Sequence, residues 1–407
     1  MLAIIQKAKW LLGGNIIFAF SQWLLLTLIA KICTGQELGE YSYAMSIVAP
    51  VFMLTNLQLR PIFVADYNSD KYYDFASFFS LRFYSNVLGF LVVMLWGMFT
   101  HIDSIWIIAF VALTKCLESI SDIIYGWYNA INKTELITRS LTTKAIFSII
   151  LLGAILVLSK SLIYGLIGLC IVYLAIMLFI DFKAIKVKKE WLVYQPEASK
   201  QIIIYALPLG ITVMLVSLQT NLPRYFIEKY DAIESVGVFT VFYYFVVIGG
   251  IVINSVCQYL SPLYAQSWHE ASKKHFFKLF NMSYLIAGSF GLFSLIITYF
   301  WGGELLSLVY GDKFNHEIGT LNIIILSGIF TYLSIVNGYT MTSLKIIKVQ
   351  VPMFLLLLAI TFISCFLFIP KYHLIGAAWV GLIGSFSQFL IGFLILLNKF
   401  RDHYGKA

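Results

Sequence analysis

The chain has 407 residues, 60% of them hydrophobic and only 12% charged, with a formal net charge of +8 at pH 7. Its mean hydropathy of +0.87 excludes a water-soluble globule, which has roughly 45–50% apolar and about 25% charged residues. The basic excess lies in short loops between apolar runs, which reads as membrane topology and not as a stripe for nucleic acid.

Apolar runs fall at about 10–30, 40–58, 78–99, 105–126, 143–159, 162–181, 202–222, 237–258, 283–301, 318–340, 351–369 and 374–398. Each is near the roughly 20 residues that cross a bilayer, so the chain reads as an all-α polytopic membrane protein of about 12 transmembrane helices. Runs this long exclude a β-barrel, whose strands are alternating segments of about ten residues. The first run, Trp10 to Ala30, follows Lys7 and Lys9. It is too long for a signal-peptide core and has no A-x-A site, so it reads as the first span.

The fourth run, Ile105 to Asn129, carries Lys115, Glu118 and Asp122 on one helical face, with Ser119 and Ser121 near its edges. An ionised side chain in hydrocarbon costs roughly 2.5–3.5 kcal/mol on insertion scales, so this face turns toward protein, water or a substrate path. Two readings stand side by side. In one, Lys115 lines a substrate cavity and Glu118 or Asp122 serves as an ion-coupling or gating group. In the other, Lys115 pairs with Glu118 at i,i+3 and Asp122 sits near a wet helix end. Lys115 reads as the only Lys or Arg deep within a span.

The stretch Lys183 to Lys200 is the longest inner linker and divides the chain into two six-helix halves, 1–182 and 202–407, with 183–201 between them. Its basic and aromatic mix suits anionic headgroups, and a solvated linker is the plain alternative. Residues Trp268 to Phe280 have the same character. The seventh span ends in Gln219, Asn221, Pro223 and Arg224. Arg224 either grips an anionic headgroup bidentately or anchors at the interface beside Tyr225. Gln22, Asn56, Gln219, Asn221 and Asn254 give the first, second, seventh and eighth spans polar positions that suit a sugar-binding cavity. Helix–helix hydrogen bonding is the alternative for each of them.

With the N-terminus inside, 21 Lys and Arg fall on the cytoplasmic side and six opposite, Lys115 completing the 28. Both termini are therefore expected in the cytoplasm. The five cysteines lie in or beside separate apolar runs without a C-x-x-C and read as packing residues. The six histidines show no metal-ligand spacing and there is no Walker A loop, so no cofactor, metal site or ATP-driven step is expected.

Several stretches, taken together and in order, resemble the O-antigen repeat-unit flippases (Wzx type) of the polysaccharide-transport branch of the MOP superfamily. They are Glu37-Leu38-Gly39-Glu40-Tyr41-Ser42 with Asn56 to Arg60, Lys115 to Gly126 with Arg139-Ser140, Leu207-Pro208-Leu209-Gly210 with Asn221 to Tyr225, and Val309 to Phe314. The resemblance implies a MATE-like fold of two six-helix bundles in a bacterial inner membrane. It also implies the task of moving an undecaprenyl-pyrophosphate-linked oligosaccharide from the cytoplasmic to the periplasmic leaflet. The implied partners are that lipid-linked oligosaccharide, membrane lipids, a polysaccharide polymerase and a chain-length regulator. A multidrug antiporter of the same superfamily is the nearest alternative, and a membrane polysaccharide polymerase is another. Against the polymerase, no large outer loop is present.

Overall fold

A computed structural model of the chain describes residues 2–67, 74–100, 105–183, 191, 193, 195–270, 272–346 and 348–404, without the side chains of 2–12 and 312. Most of the basic linker expected over 183–201 lies outside the described residues. Packing divides the chain into two compact units, Met1–Asn221 and Leu222–Ala407.

The first unit contains α1 (Leu2–Ile32), α2 (Gly35–Thr55), α3 (Leu59–Asp66), α4 (Phe75–Gly97), α5 (Ile105–Ala130), α6 (Thr134–Ser159) and α7 (Leu162–Ile176). It also holds all but the last turns of α8 (Pro196–Tyr230). α1 packs along α6, α6 along α7, and α5 against α4, α7, α2 and α3. The charged helix is thus at the centre of its unit. Gly14 is where α1 meets α6 closely, since a Cβ there would stand 3.0 Å from the Thr138 Cα.

Local sequence explains the junctions. Thr34 and Glu37 form a capping box at the start of α2: the Thr34 hydroxyl accepts from the Glu37 amide, and the Thr34 amide donates to the Glu37 carboxylate. The other Glu37 oxygen accepts from the Leu162 amide at 3.1 Å, tying the start of α7 to that of α2. After α2 the chain turns through Leu57 and Gln58, both with positive φ, and continues as α3, a short helix not foreseen in the sequence. α7 ends in a π turn, Met177–Asp181, closed by a 2.9 Å bond from the Phe182 amide to the Met177 carbonyl. One end of the unit is sealed by aromatic rings, with Phe63, Phe75, Phe78, Trp127 and Trp191 packed edge-on or tilted.

The second unit contains the end of α8, α9 (Ile233–His269), α10 (Lys273–Tyr310), a 3₁₀ turn (Asp312–Glu317), α11 (Ile318–Ser343) and α12 (Gln350–Tyr404). α12 is two helices run together across a break at His373, where φ is 49° and ψ −128°. α11 is the hub, packed on α9, α10 and α12. The Trp268–Phe280 stretch is helix except around its turn, and the Trp268 ring stacks on that of His403 at 3.8 Å.

Among the described residues, ten helices are long and apolar enough to cross a membrane, with α12 counted once and α5 left out by its charge. Counting α5 and both parts of α12 gives the twelve spans expected. No strand occurs among the described residues.

Candidate functional site

The charged face of α5 divides among three environments in the first unit. Lys115 Nζ donates to Glu118 Oε2 at 2.6 Å, the i,i+3 pair expected from spacing. The pair lines an interior pocket with Gln22, Tyr41, Thr114 and Tyr173, and Gln22 Nε2 donates to the Tyr173 hydroxyl at 3.2 Å. The pocket measures about 20 Å³, room for a single water in this conformation. Both side chains keep about a quarter to a third of their surface, 26% and 32%.

One turn further along, Asp122 holds two arginines: Arg60 Nη1 at 3.0 Å and Arg82 Nη2 at 3.4 Å. Arg82 is 1% exposed, fully inside the fold, and also donates to Ser119 Oγ at 3.1 Å and to Asn56 Oδ1. Ser119 in turn donates to Asn86 Oδ1 at 2.8 Å and is within hydrogen-bond reach of Asn56. Asn56 is therefore a member of a buried network joining α2, α4 and α5. Arg60, at the start of α3, reaches the same carboxylate from a partly open position.

The third environment was not read from the sequence. Lys144, on α6, is 1% exposed and donates to Asp181 Oδ2 at 3.1 Å, Ser121 Oγ at 2.6 Å and the Tyr125 hydroxyl at 2.9 Å. Asp181 is 0% exposed. It stands at the end of the π turn, and its backbone carbonyl accepts from the Tyr128 hydroxyl at 2.6 Å. Its Oδ1 accepts no hydrogen bond among the described residues. Lys115 is thus not the only cation deep in the fold: Arg82 and Lys144 are deeper. Hydropathy puts both at the margins of apolar runs, whereas helix packing encloses them. A Lys, Arg or Asp several residues from a run's centre carries no one-dimensional mark of a partner 37 or 40 residues away.

The remaining predicted residues are dispersed. Gln219 is buried on α8, and Asn221 Nδ2 donates to the Ser217 carbonyl of its own helix at 2.8 Å. Arg224 is buried in the second unit, with Nε donating to Thr240 Oγ1 at 2.9 Å and its guanidinium 5.4 Å from the Phe239 ring centre and 5.6 Å from that of Tyr243. This is an inward position, not a snorkelling one. Asn254, on α9, borders a pocket of about 330 Å³ that also has Ser261, Tyr339, Thr342, Gln350 and Gln388 in its wall. Asn254 Nδ2 donates to the Gly250 carbonyl at 2.8 Å. Among the described residues, no group of His, Cys, Asp and Glu is arranged to hold a metal ion.

The spans, their order and their packing match solved membrane transporters. A MATE transporter of Vibrio cholerae, VcmN, is similar with a TM-score of 0.65 at 14% identity, over 98% of this chain and 97% of that one. A MOP superfamily transporter from Pyrococcus furiosus gives 0.68 at 12% identity, over 99% and 96%. The chain has the MATE transporter fold. No protein-family model matches its sequence. Among curated proteins it is similar to the capsular polysaccharide biosynthesis protein CapF of Staphylococcus aureus, 29% identical over 391 residues, 94% of this chain and 96% of that one. It is a multi-pass membrane protein related in fold to transporters rather than to enzymes.

Proposed function

We propose that this chain is a flippase for undecaprenyl-pyrophosphate-linked repeat units of a surface polysaccharide, carrying them from the cytoplasmic to the outer leaflet of the plasma membrane. The observation that carries the reading is the end-to-end similarity to a capsular polysaccharide biosynthesis protein in a chain with a transporter fold. Similarity along both whole lengths fits a shared task better than a shared module would. The physical demand is limited: the lipid tail stays in hydrocarbon, and only the sugar-pyrophosphate head needs a polar path. The two bundles, 1–182 and 202–407, alternate access with both termini in the cytoplasm, and a polymerase and chain-length regulator take up the product.

Glu118 and Asp122 are the proposed coupling groups. Both keep exposed surface, at 32% and 36%, while being paired to cations that a moving proton or metal ion would release. One positive charge crossing inward yields roughly 2.3 kcal/mol per 100 mV, enough to bias a transport cycle. Lys115, Gln22, Asn56, Gln219, Asn221 and Arg224 are assigned to the path of the headgroup.

The test is deletion of the gene in its own host. Surface polysaccharide is expected to vanish while the lipid-linked unit accumulates, accessible only from the cytoplasmic leaflet. Accumulation on the outer leaflet would move the defect to polymerisation and overturn the reading. Reporters fused after Ala407 and at Lys313 are expected inside and outside, respectively.

A further inference from the structure

We propose that the pocket between α9, α11 and the two parts of α12 is a subsite for an uncharged sugar residue of the cargo. This rests on the flippase reading but assigns a ligand class to a place of its own. The pocket, about 330 Å³, falls in the size range of small-ligand sites, roughly 300–1,000 Å³. Its polar wall consists of amides and hydroxyls: Asn254, Ser261, Tyr339, Thr342, Gln350 and Gln388. No Asp, Glu, Lys or Arg lines it among the described residues. Amides and hydroxyls both donate and accept, which is what a ring of sugar hydroxyls requires.

Several groups that look available are committed elsewhere, and this sharpens the assignment. Asn337 is fixed as structure: its Nδ2 donates to the Phe389 carbonyl at 3.1 Å and its Oδ1 accepts from the Tyr284 hydroxyl. The Ser261 hydroxyl is paired with that of Ser343 at 2.8 Å. Asn254 gives one N–H to its own helix, leaving the amide oxygen as an acceptor. Two glycines shape the wall. Gly392 lets α12 lie against Asn337, and at Gly338 a Cβ would meet nothing within 4 Å, so the wall is open there. Ile335, Met353 and Phe354 supply apolar surface for the C–H face of a pyranose.

The absence of charge from this wall sets specificity. A uronic acid would lose hydration of its carboxylate and meet no cation, a penalty that a neutral hexose or N-acetylhexosamine escapes. The pocket also lies toward the end of the unit where α9 finishes and α12 begins. The adjoining turns there carry Lys273, Lys274, Lys345 and Lys348, which places that end in the cytoplasm by the positive-inside rule. That is the side on which the glycan is loaded.

The experiment uses the full chain in lipid nanodiscs. Thr342, exposed at the pocket, is changed to Cys in a Cys116→Ser background, since the other four cysteines are buried. Maleimide labelling of Thr342→Cys is timed with free N-acetylglucosamine, glucose or glucuronate. The expected result is saturable slowing by the two neutral sugars and none by glucuronate. Adding Gln388→Leu is expected to raise the half-protecting concentration about tenfold, equivalent to ~1.4 kcal/mol. No protection by either neutral sugar, equal protection by glucuronate, or no shift in a monodisperse Gln388→Leu protein overturns the assignment. The two readings fail separately. If deleting the gene leaves surface polysaccharide intact but neutral sugars still protect, the flippase reading falls and the carbohydrate site stands. If export requires the chain but no sugar protects, the site falls alone.

Discussion

The interior of the first unit is held by charges that have found one another. Arg82 and Arg60 share Asp122, Lys144 is bound to Asp181, and Lys115 to Glu118. The pocket beside Asn254 in the second unit is larger than the one beside Lys115 and carries amides and hydroxyls, with its backbone-bonded Asn337 holding α11 to α12. A buried ion pair gains strength from low dielectric and loses much of it to desolvation, so its removal by halves is costly. A wall of neutral dipoles carries smaller versions of both terms and can exchange water for a ligand at lower cost. The first arrangement suits positions that must stay fixed or switch between discrete states; the second suits a surface that accepts and releases cargo.

The largest effect that would break this contrast is at Lys144. Lys144→Met leaves Asp181 charged, buried and without its lysine, and is expected to cost about 3–5 kcal/mol. Thermal unfolding of detergent-purified protein should show a large drop in Tm, and the double change Lys144→Met/Asp181→Leu should recover most of it. A single change without a drop in Tm would mean that the pair is not enclosed as described.

Arg82→Leu comes next. Asp122 retains Arg60, so the loss is that of the longer 3.4 Å pair with Asp122, the hydrogen bonds to Ser119 and Asn56 and the polar groups left behind, about 1–3 kcal/mol. Arg82→Lys is expected to recover less than half, because one ammonium cannot serve both the carboxylate and the network from a single fork. Full recovery by lysine in the same unfolding assay would reduce the network to simple charge.

At Lys115 the expected effect on stability is small, about 0–1 kcal/mol for a partly exposed pair, while the effect on transport is not. Lys115→Ala is expected to abolish surface polysaccharide at normal protein abundance, with Lys115→Arg retaining part of it. The double change Lys115→Ala/Glu118→Ala is expected not to restore export; restoration would make the lysine a counter-ion only. With no expected effect beyond stability, Ser343→Ala frees the Ser261 hydroxyl at the pocket's edge and is expected to cost about 0.5–1.5 kcal/mol. A larger shift in Tm would show that this wall, too, is structural.

Much of this was legible in the sequence because hydrocarbon imposes length. The apolar runs, the central place of α5 and the Lys115–Glu118 pairing follow from period and span alone. The partners of Asp122 did not, since Arg60 and Arg82 reach it from other helices, 62 and 40 residues away. Glu37 belongs to a stretch that resembles the flippases, and in the fold it caps α2 and receives the Leu162 amide. Asn254 reads from the sequence as one of a group of polar helix faces, and it borders a pocket walled by α11 and α12 of its own unit. Residue type announces that a polar group needs company; only the packing says whose.

The π turn at Met177–Asp181 ties two distant positions to a matter of chain length. An i→i+5 closure accommodates one residue more than a regular turn, and deleting it restores the 3.6-residue period. The same residues wound as a regular α-helix would instead turn Asp181 by roughly 100° about the axis of α7, away from Lys144. A homologous chain with one residue fewer here would close as a regular turn and still present its carboxylate to Lys144. One-residue gaps at this turn are therefore expected in chains that keep both the aspartate and the lysine.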